Sequence, residues 1–270
     1  MTTTALTARR DYLIRHRRTI IARALAGSLA GAVPLPFLDT WAAGAVLGGG
    51  YRRIAAAHNV DLDEDAVRAL VHGTTRPPSV SDLAIGGVIA RIAGSAARRM
   101  MLALATINRA RAAARTFTVM TLFDHYCARL HTGLALDGPT ALALREEIVK
   151  AIENTPGALS FHPFRRGVLA AARATIKAPL ELADIATRGA VRRLLGKGSE
   201  VSGAEVVDAE VVEDVDLAVE QALASKSGFL SRTATAVELQ LSTEHNPFLD
   251  DAIENLDRRW RARMAARTLK

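Results

Sequence analysis

The chain has 270 residues and a formal net charge of +7; 49% of its residues are hydrophobic, 23% are charged and 4% are aromatic. This composition excludes an intrinsically disordered protein, which combines low hydrophobicity with high net charge. The one cysteine, Cys127, excludes the intrachain disulfide framework of small secreted domains. The apolar residues are mostly Ala, Leu, Val and Ile, and Ala is the strongest helix former, so the composition predicts a nearly all-α fold.

The charge is unevenly distributed along the chain. Residues 1–135 hold 17 basic and 8 acidic residues, a net charge of +9, whereas residues 136–200 have +3 and residues 201–270 have −5. A basic N-terminal half favours an anionic partner: a membrane surface, a nucleic acid or the acidic part of the chain itself. We expect nucleic acid to be the weakest of these, because aromatic stacking residues and a recognisable reading helix are both lacking in the sequence.

Breakers and capping residues divide the chain into successive helices. Pro34 and Pro36 end the first one, Asp39 can cap the second, and an Asp61/Glu64 pair resembles a capping box that opens a short third helix. The apolar periodicity and these signals predict helices near 5–33, 40–58, 61–72, 81–115, 116–131, 140–153, 164–177, 180–195, 215–225, 229–241 and 247–267.

Residues 199–216 differ in character from the rest of the chain. They include seven acidic residues and no basic one, which is typical of a solvated linker with some extended structure. We therefore predict a helical domain over 1–198, an acidic linker over 199–216 and a C-terminal helical segment over 217–270. The fold class is all-α: a helical bundle built around an apolar, glycine-rich helical hairpin at 19–53.

The hairpin has a symmetric arrangement of glycines on its two arms. Gly27 and Gly31 precede the prolines, and Gly44 and Gly48 follow them at matching distances from a turn near Phe37. Small residues spaced four apart allow two helix backbones to approach closely. The pattern predicts that Gly27 lies level with Gly48, and Gly31 level with Gly44.

The same fold-back predicts an apolar tip and a basic collar at opposite ends of the hairpin. The tip is formed by Leu35, Pro36, Phe37, Leu38 and Trp41. The collar is formed by Arg17, Arg18, Arg23, Arg52 and Arg53. Each arm is too short to cross a bilayer, whose core of about 30 Å needs about 20 apolar residues, but it is long enough to enter one leaflet. The alternative is a hairpin buried inside a soluble bundle, which Asp39 near the tip favours because a carboxylate in lipid is costly.

The segment GAVPLPFLDTWAAGAVLGGGYRRIAAAHNVDLDEDAVRAL, residues 31–70, resembles the bacterial helical family of the inner-membrane protein YcjF. The shared pattern is a run of small residues, Pro-x-Pro, an apolar pair with Asp39, and a helix that ends in Arg53-Ile54-Ala55. Residues 107–130 resemble a second block of that family more weakly, so the likeness covers about 18–132. The resemblance implies membrane association and a GTPase partner, and it implies no catalytic residue.

No motif in the sequence specifies a reaction, and we predict no catalytic residue, cofactor or metal ligand. The aspartates at 61, 63 and 65 lack the glycine and glutamate of a calcium loop. The segment LLGKGSE at 194–200 lacks the spacing of a phosphate-binding loop. Asp124, Cys127 and His131 share one face of a predicted helix, but Asp124 and His131 are about 10 Å apart along its axis, too far for one ion. We interpret them as a polar helix edge.

The sequence therefore predicts a non-enzymatic, membrane-associated helical scaffold or adaptor that contacts an anionic membrane surface and acts with a GTPase or in membrane remodelling. The expected location is the cytoplasmic face of the bacterial inner membrane, with the cytoplasm as the alternative. Two other functions stay open: a soluble helical domain that binds a lipid-like ligand in an apolar cavity, and a helical enzyme of unrecognised type.

Overall fold

A computed structural model of the chain describes residues 11–30, 38–75, 95–159, 162–166, 228–243 and 247–268, together with positions 217, 220, 221, 224 and 225. The elements in chain order are α1 (Asp11–Ala30), α2 (Leu38–Ala57), β1 (Asp61–Leu62), α3 (Glu64–His72), α4 (Ser95–Arg129), β2 (Ala135–Leu136), α5 (Gly138–Glu153), α6 (Phe229–Thr243) and α7 (Pro247–Thr268). Apart from the two short strands, the described elements are helices, which confirms the predicted all-α fold. The predicted helices at 164–177, 180–195 and 215–225 and the acidic linker lie largely or wholly outside the described residues.

Helix α1 is the centre of the bundle. Every residue from Ile20 to Ala26 is buried, so this stretch is covered on all sides, as expected for a helix that packs against several neighbours. Helix α1 packs against α4, α2 and α6. Gly50 of α2 lies beside Arg23 and Leu47 lies beside Gly27, so the partners in α2 go backward as α1 goes forward, and the two helices run antiparallel.

Helix α3 packs between α2 and α5, and both of its ends are capped. Asp63 accepts a hydrogen bond from the backbone N–H of Ala66 at the start of the helix, so the cap is Asp63 and the predicted Asp61/Glu64 pair is wrong. Gly73 ends the helix in the left-handed region with φ of 74°. Arg145 of α5 donates to the carbonyl of Leu70 at 2.7 Å, so a basic side chain satisfies the C-terminal end of α3.

Helix α4 runs without a break from Ser95 to Arg129, so the predicted division at 115/116 is wrong. The sequence contains no glycine or proline between these residues, and nothing in it stops the helix. Thr118 and Thr121 donate their hydroxyl groups to the carbonyls of Ala114 and Phe117, so both polar groups are satisfied inside the core.

The C-terminal helices belong to the same core as the N-terminal ones. Leu230 and Val237 of α6 and Leu256 and Trp260 of α7 are buried in the hydrophobic cluster that includes α1 and α4. Two ion pairs also join α7 to α5 through Glu147, whose carboxylate accepts hydrogen bonds from the arginines at 259 and 263, each at 2.8 Å. These arginines therefore bind a neighbouring helix.

The strands β1 and β2 form a short parallel bridge, with Asp61 opposite Ala135 and Leu62 opposite Leu136. This bridge ties the turn after α2 to the turn after α4. Among the described residues, none of the helices combines the length and the apolar character that crossing a membrane would require.

Candidate functional site

The two arms of the hairpin pack closely, but the glycines do not face each other as predicted. A Cβ added at Gly27 would lie 3.0 Å from the side chain of Leu47, one residue from the predicted partner Gly48. Gly48 instead faces Val67 of α3, whose Cγ1 would be 3.1 Å from an added Cβ. The antiparallel register is thus within one residue of the prediction, whereas the predicted pairing of Gly27 with Gly48 is wrong.

The glycines of α2 make room for other helices instead. Gly44 faces His72 of α3, with 3.3 Å between an added Cβ and the imidazole Nε2. Gly50, which the sequence analysis did not single out, faces both Met120 of α4 and Arg23 of α1. Helix α2 therefore needs small residues because it is packed against α1, α3 and α4. The predicted partner of Gly44, Gly31, lies outside the described residues.

Most of the predicted tip lies outside the residues that the structure describes. Leu35, Pro36 and Phe37 lie outside the described residues, while Leu38 and Trp41 belong to the first turns of α2. Residues 31–37 connect the C-terminal end of α1 to the N-terminal end of α2. The buried parts of both helices lie farther from this connection.

The predicted collar is divided between the core and the surface. Arg23 is completely buried, so its assignment to an exposed collar is wrong. Its guanidinium donates to the carbonyl of Val46 at 3.2 Å and lies 3.7 Å from the carboxylate of Glu220. The same carboxylate lies 3.1 Å from Arg53, whose side chain is 50% exposed. Burial of Arg23 is thus accompanied by a hydrogen bond and a counter-charge, as a buried cation requires.

The other collar arginines are near the surface, and two of them have partners within the chain. Arg52 donates to Glu64 of α3 at 2.6 Å, and Arg18 donates to Ser231 of α6 at 3.2 Å. Arg17 is half-buried. Much of the collar charge is therefore directed toward neighbouring helices of the bundle.

A histidine–aspartate cluster, formed by His16, His58 and Asp124, lies at the end of the hairpin away from the tip. His16 Nδ1 lies 3.0 Å and His58 Nε2 lies 2.6 Å from the same carboxylate oxygen, Oδ1 of Asp124. The cluster joins α1, the turn after α2, and α4. Asp124 is completely buried, and the two histidines are mostly buried with side-chain exposures of 16% and 15%.

The second carboxylate oxygen of Asp124, Oδ2, is buried and has no hydrogen-bond partner among the described residues. Buried polar atoms in proteins nearly always have one. The three ligand atoms of the cluster lie within 4.8 Å of one another, so these residues have the spacing of a metal-binding set. Nothing in the local sequence indicates this cluster, because His58 and His16 are 66 and 108 positions away from Asp124.

A second series of polar contacts starts at His125, the residue after Asp124 in α4. His125 Nε2 lies 2.6 Å from Asp257 of α7, and its Nδ1 contacts the hydroxyl group of Tyr12. Arg129 lies above the Tyr12 ring, with 5.2 Å between the guanidinium carbon and the ring centroid. Asp124 thus links α1 to the turn after α2, and the next residue, His125, links α1 to α7.

The predicted polar helix edge of Asp124, Cys127 and His131 is wrong: Asp124 and Cys127 are buried in the core, and His131 lies beyond the end of α4 at Arg129. Burial, and to a smaller extent the charge of Asp124, raises the pKa of the Cys127 thiol, which disfavours a reactive thiolate. His131 accepts or donates at Nδ1 with the Tyr126 hydroxyl at 3.1 Å, and burial lowers its pKa. The contacts of Cys127 and His131 are therefore typical of residues that pack and stabilise the fold.

A pocket of about 450 Å³ lies beside the short strands, between the end of α4 and α7. Its lining is mixed: Asp61, Asp137, His131 and Arg267 are charged or polar, whereas Leu130, Leu136, Trp260 and Met264 are apolar. The lining is thus less apolar than that of most sites that hold a small-molecule ligand.

Comparisons of this chain with protein-family models, with curated proteins and with solved structures give no match. The resemblance of residues 31–70 to the YcjF family therefore stays a prediction from the sequence pattern.

Proposed function

We propose that this chain is a non-enzymatic helical scaffold or adaptor that contacts an anionic membrane surface with the apolar tip of its hairpin. The observation that supports the proposal is the antiparallel packing of α1 and α2, in which both arms are fixed in the core at their far ends. Ile20 to Ala26 of α1 and Val46 to Ile54 of α2 include the buried anchoring residues. The apolar residues at 31–38 are attached to a rigid base.

The dimensions of the hairpin are compatible with contact to one leaflet. Arg53 is 15 residues from the start of α2 at Leu38, which corresponds to about 22 Å of helix. The hydrocarbon core of one leaflet is about 15 Å deep, half of the bilayer core. Gly44, six residues after Leu38 and about 9 Å along the helix, already packs against His72 of α3, so an inserted tip would enter the leaflet by at most about 9 Å and would hold Arg53 about 13 Å above the hydrocarbon.

The electrostatic part of this proposal is weaker than the sequence indicates. Arg23 is buried, and Arg52 and Arg53 already have the carboxylates of Glu64 and Glu220 beside them. Basic residues near an anionic surface contribute about 1 kcal/mol each when they are available. The apolar tip is therefore expected to supply most of the binding free energy, and anionic lipid only a minor part.

The test is flotation of the full chain with vesicles, with and without anionic lipid. Phe37→Asp should abolish flotation, because a charged side chain at the tip cannot enter hydrocarbon without a large cost. The matched control is Leu134→Asp, which also replaces an apolar side chain by aspartate, at a leucine that is 82% exposed in the loop before β2. Flotation of Phe37→Asp at the wild-type level would contradict the proposal.

A GTPase partner is proposed on the family resemblance alone. It can be tested by mixing the purified chain with a purified bacterial GTPase that is encoded beside a member of the resembling family, and measuring association by light scattering. Association with a dissociation constant in the micromolar range or tighter would support an adaptor role, and none at that concentration would remove this part of the proposal.

A further inference from the structure

We propose that His16, His58 and Asp124 bind a divalent first-row transition cation, with zinc as the representative ion. This inference does not depend on membrane contact, since it concerns the opposite end of the hairpin. It differs from the sequence-based expectation that the chain has no metal ligand.

The first argument is the convergence of the three side chains. His16 Nδ1 and His58 Nε2 approach Asp124 Oδ1 to 3.0 and 2.6 Å, and all three ligand atoms lie within 4.8 Å of one another. The two imidazole rings are nearly perpendicular, at 85°, with centroids 5.4 Å apart. The rings therefore direct one nitrogen each toward a common point, instead of stacking on each other.

The spacing is close to that of a coordinated ion. Zinc binds histidine nitrogen and carboxylate oxygen at about 2.0–2.2 Å, so tetrahedral ligand atoms are roughly 3.4 Å apart. The pair formed by His58 and Asp124 would have to open by less than about 1 Å from its present 2.6 Å. Small rotations of the imidazole and carboxylate groups are sufficient for this change.

The second, independent argument is the environment of Asp124. Its Oδ2 is buried and lacks a hydrogen-bond partner among the described residues, although the side chain is completely inaccessible to solvent. A buried carboxylate with an unsatisfied oxygen is unfavourable. A cation held between the two histidines would give this carboxylate a direct positive partner.

The donor set indicates the class of ion. Two imidazoles and one carboxylate suit zinc, iron(II), cobalt or nickel, whereas calcium and magnesium prefer oxygen ligands. Both histidines keep a small exposed fraction, 16% for His16 and 15% for His58, so an ion can reach the cluster from solvent and retain a water molecule. A bound ion would fasten α1 to the turn after α2 and to α4.

The experiment is zinc titration of the full-length chain, previously dialysed against a chelator, by isothermal titration calorimetry. We expect one zinc ion per chain with micromolar or tighter affinity. His16→Gln and His58→Gln should each weaken binding by at least about 100-fold, which is more than the 10- to 100-fold that the loss of a supporting hydrogen bond costs. The control is His72→Gln, an exposed histidine of α3, which should bind zinc as the wild type does.

Circular dichroism of both cluster variants without metal establishes that they are folded, which is expected because both histidines lie at the edge of the core. Cobalt(II) provides the second readout: the wild type should show the strong visible absorption of a four- or five-coordinate ion, and both variants should lose it. The proposal is overturned if the wild type binds no zinc in the micromolar range, or if the folded variants bind zinc as tightly as the wild type.

Discussion

His58 Nε2 lies 2.6 Å from the buried carboxylate oxygen Oδ1 of Asp124, and this contact joins the turn after α2 to the C-terminal part of the core helix α4. His16 of α1 approaches the same oxygen at 3.0 Å. One carboxylate therefore connects both arms of the hairpin to the helix on which they pack.

Replacement of Asp124 should destabilise the protein even without any metal. Asp124→Ala leaves two largely buried imidazoles without their common acceptor, and a buried polar group that loses its partner costs about 1–3 kcal/mol. Urea unfolding followed by circular dichroism measures this change. Asp251→Ala, at an exposed aspartate of α7, is the matched control and should stay within about 0.5 kcal/mol of the wild type. Equal stability of the two variants would show that the cluster does not join these helices.

Glu220 should be important for stability because it lies beside a buried cation. Its carboxylate is 3.7 Å from the completely buried Arg23 and 3.1 Å from Arg53. Glu220→Gln keeps the shape but removes the charge, and we expect a loss of about 1–3 kcal/mol in the free energy of unfolding. Arg53→Gln removes the half-exposed partner and should cost under about 1 kcal/mol.

Glu220→Gln should also change the binding of the protein to lipid vesicles. Glu220→Gln leaves the positive charge of Arg53 less compensated, so flotation with anionic vesicles should become modestly stronger, by roughly 5-fold for about 1 kcal/mol. Vesicles without anionic lipid should show no difference between Glu220→Gln and the wild type. An equal increase on both kinds of vesicle would indicate that the variant exposes apolar surface instead of charge.

The glycines of α2 should differ sharply in their tolerance of larger residues. A Cβ at Gly50 would lie 2.5 Å from Met120 and 3.4 Å from Arg23, both in the core, whereas a Cβ at Gly44 meets only the His72 imidazole within 4 Å. Gly50→Val should cost about 1–3 kcal/mol because it overpacks the meeting point of three helices. Gly44→Val should cost less than this, since the His72 side chain can turn toward solvent. Thermal unfolding of both variants compares them, and the reverse order would contradict this packing.

The stability of the protein should decrease as the pH falls below the ordinary pKa of histidine, 6.5, in part because of His131. Burial lowers the pKa of His131, although a hydrogen bond with the Gly133 backbone partly opposes this, so the folded protein binds its proton less readily than the unfolded chain. The stability from the neutral form is therefore complete above 6.5 and is lost as the pH falls through the lower folded-state value, with a slope of at most about 1.4 kcal/mol per pH unit.

The variant that isolates this effect is His131→Gln, which cannot be protonated in this range. The difference in unfolding free energy between the wild type and His131→Gln should become smaller as the pH falls from 7.5 to about 5. A difference that does not depend on pH would mean that His131 has the same pKa in both states.

The helices could largely be predicted from the sequence because their signals are local. Pro34 and Pro36 separate α1 from α2, and the helices at 229–243 and 247–268 start and end within two residues of their predicted limits. The break predicted at 115/116 of α4 is wrong because no glycine or proline stands there to end the helix.

The site was harder to predict because its residues are far apart in sequence. Asp124 stands in the apolar run TLFDHYCARL, and a carboxylate there is a sign that a buried partner exists, but nothing local indicates which residue it is. His16 in α1 and His58 in the turn after α2 are unremarkable in their local sequence. The predicted glycine pairing was wrong for a related reason. The glycine pattern predicted that α2 is tightly packed, but it did not indicate that α3 and α4, more than α1, contact its glycines.

The most direct test of the central claim is the fluorescence of Trp41 in the presence of vesicles whose lipid acyl chains are brominated. The chain has two tryptophans, and Trp260 is 4% exposed, so Trp260→Phe leaves Trp41 as the reporter at the tip end of α2. Membrane contact through the hairpin predicts that the brominated chains quench Trp41, while the Trp260 emission of a Trp41→Phe variant is unchanged. If vesicle-bound Trp260→Phe protein shows no quenching, or if the protein does not bind vesicles, the hairpin tip does not enter the bilayer and the account is wrong.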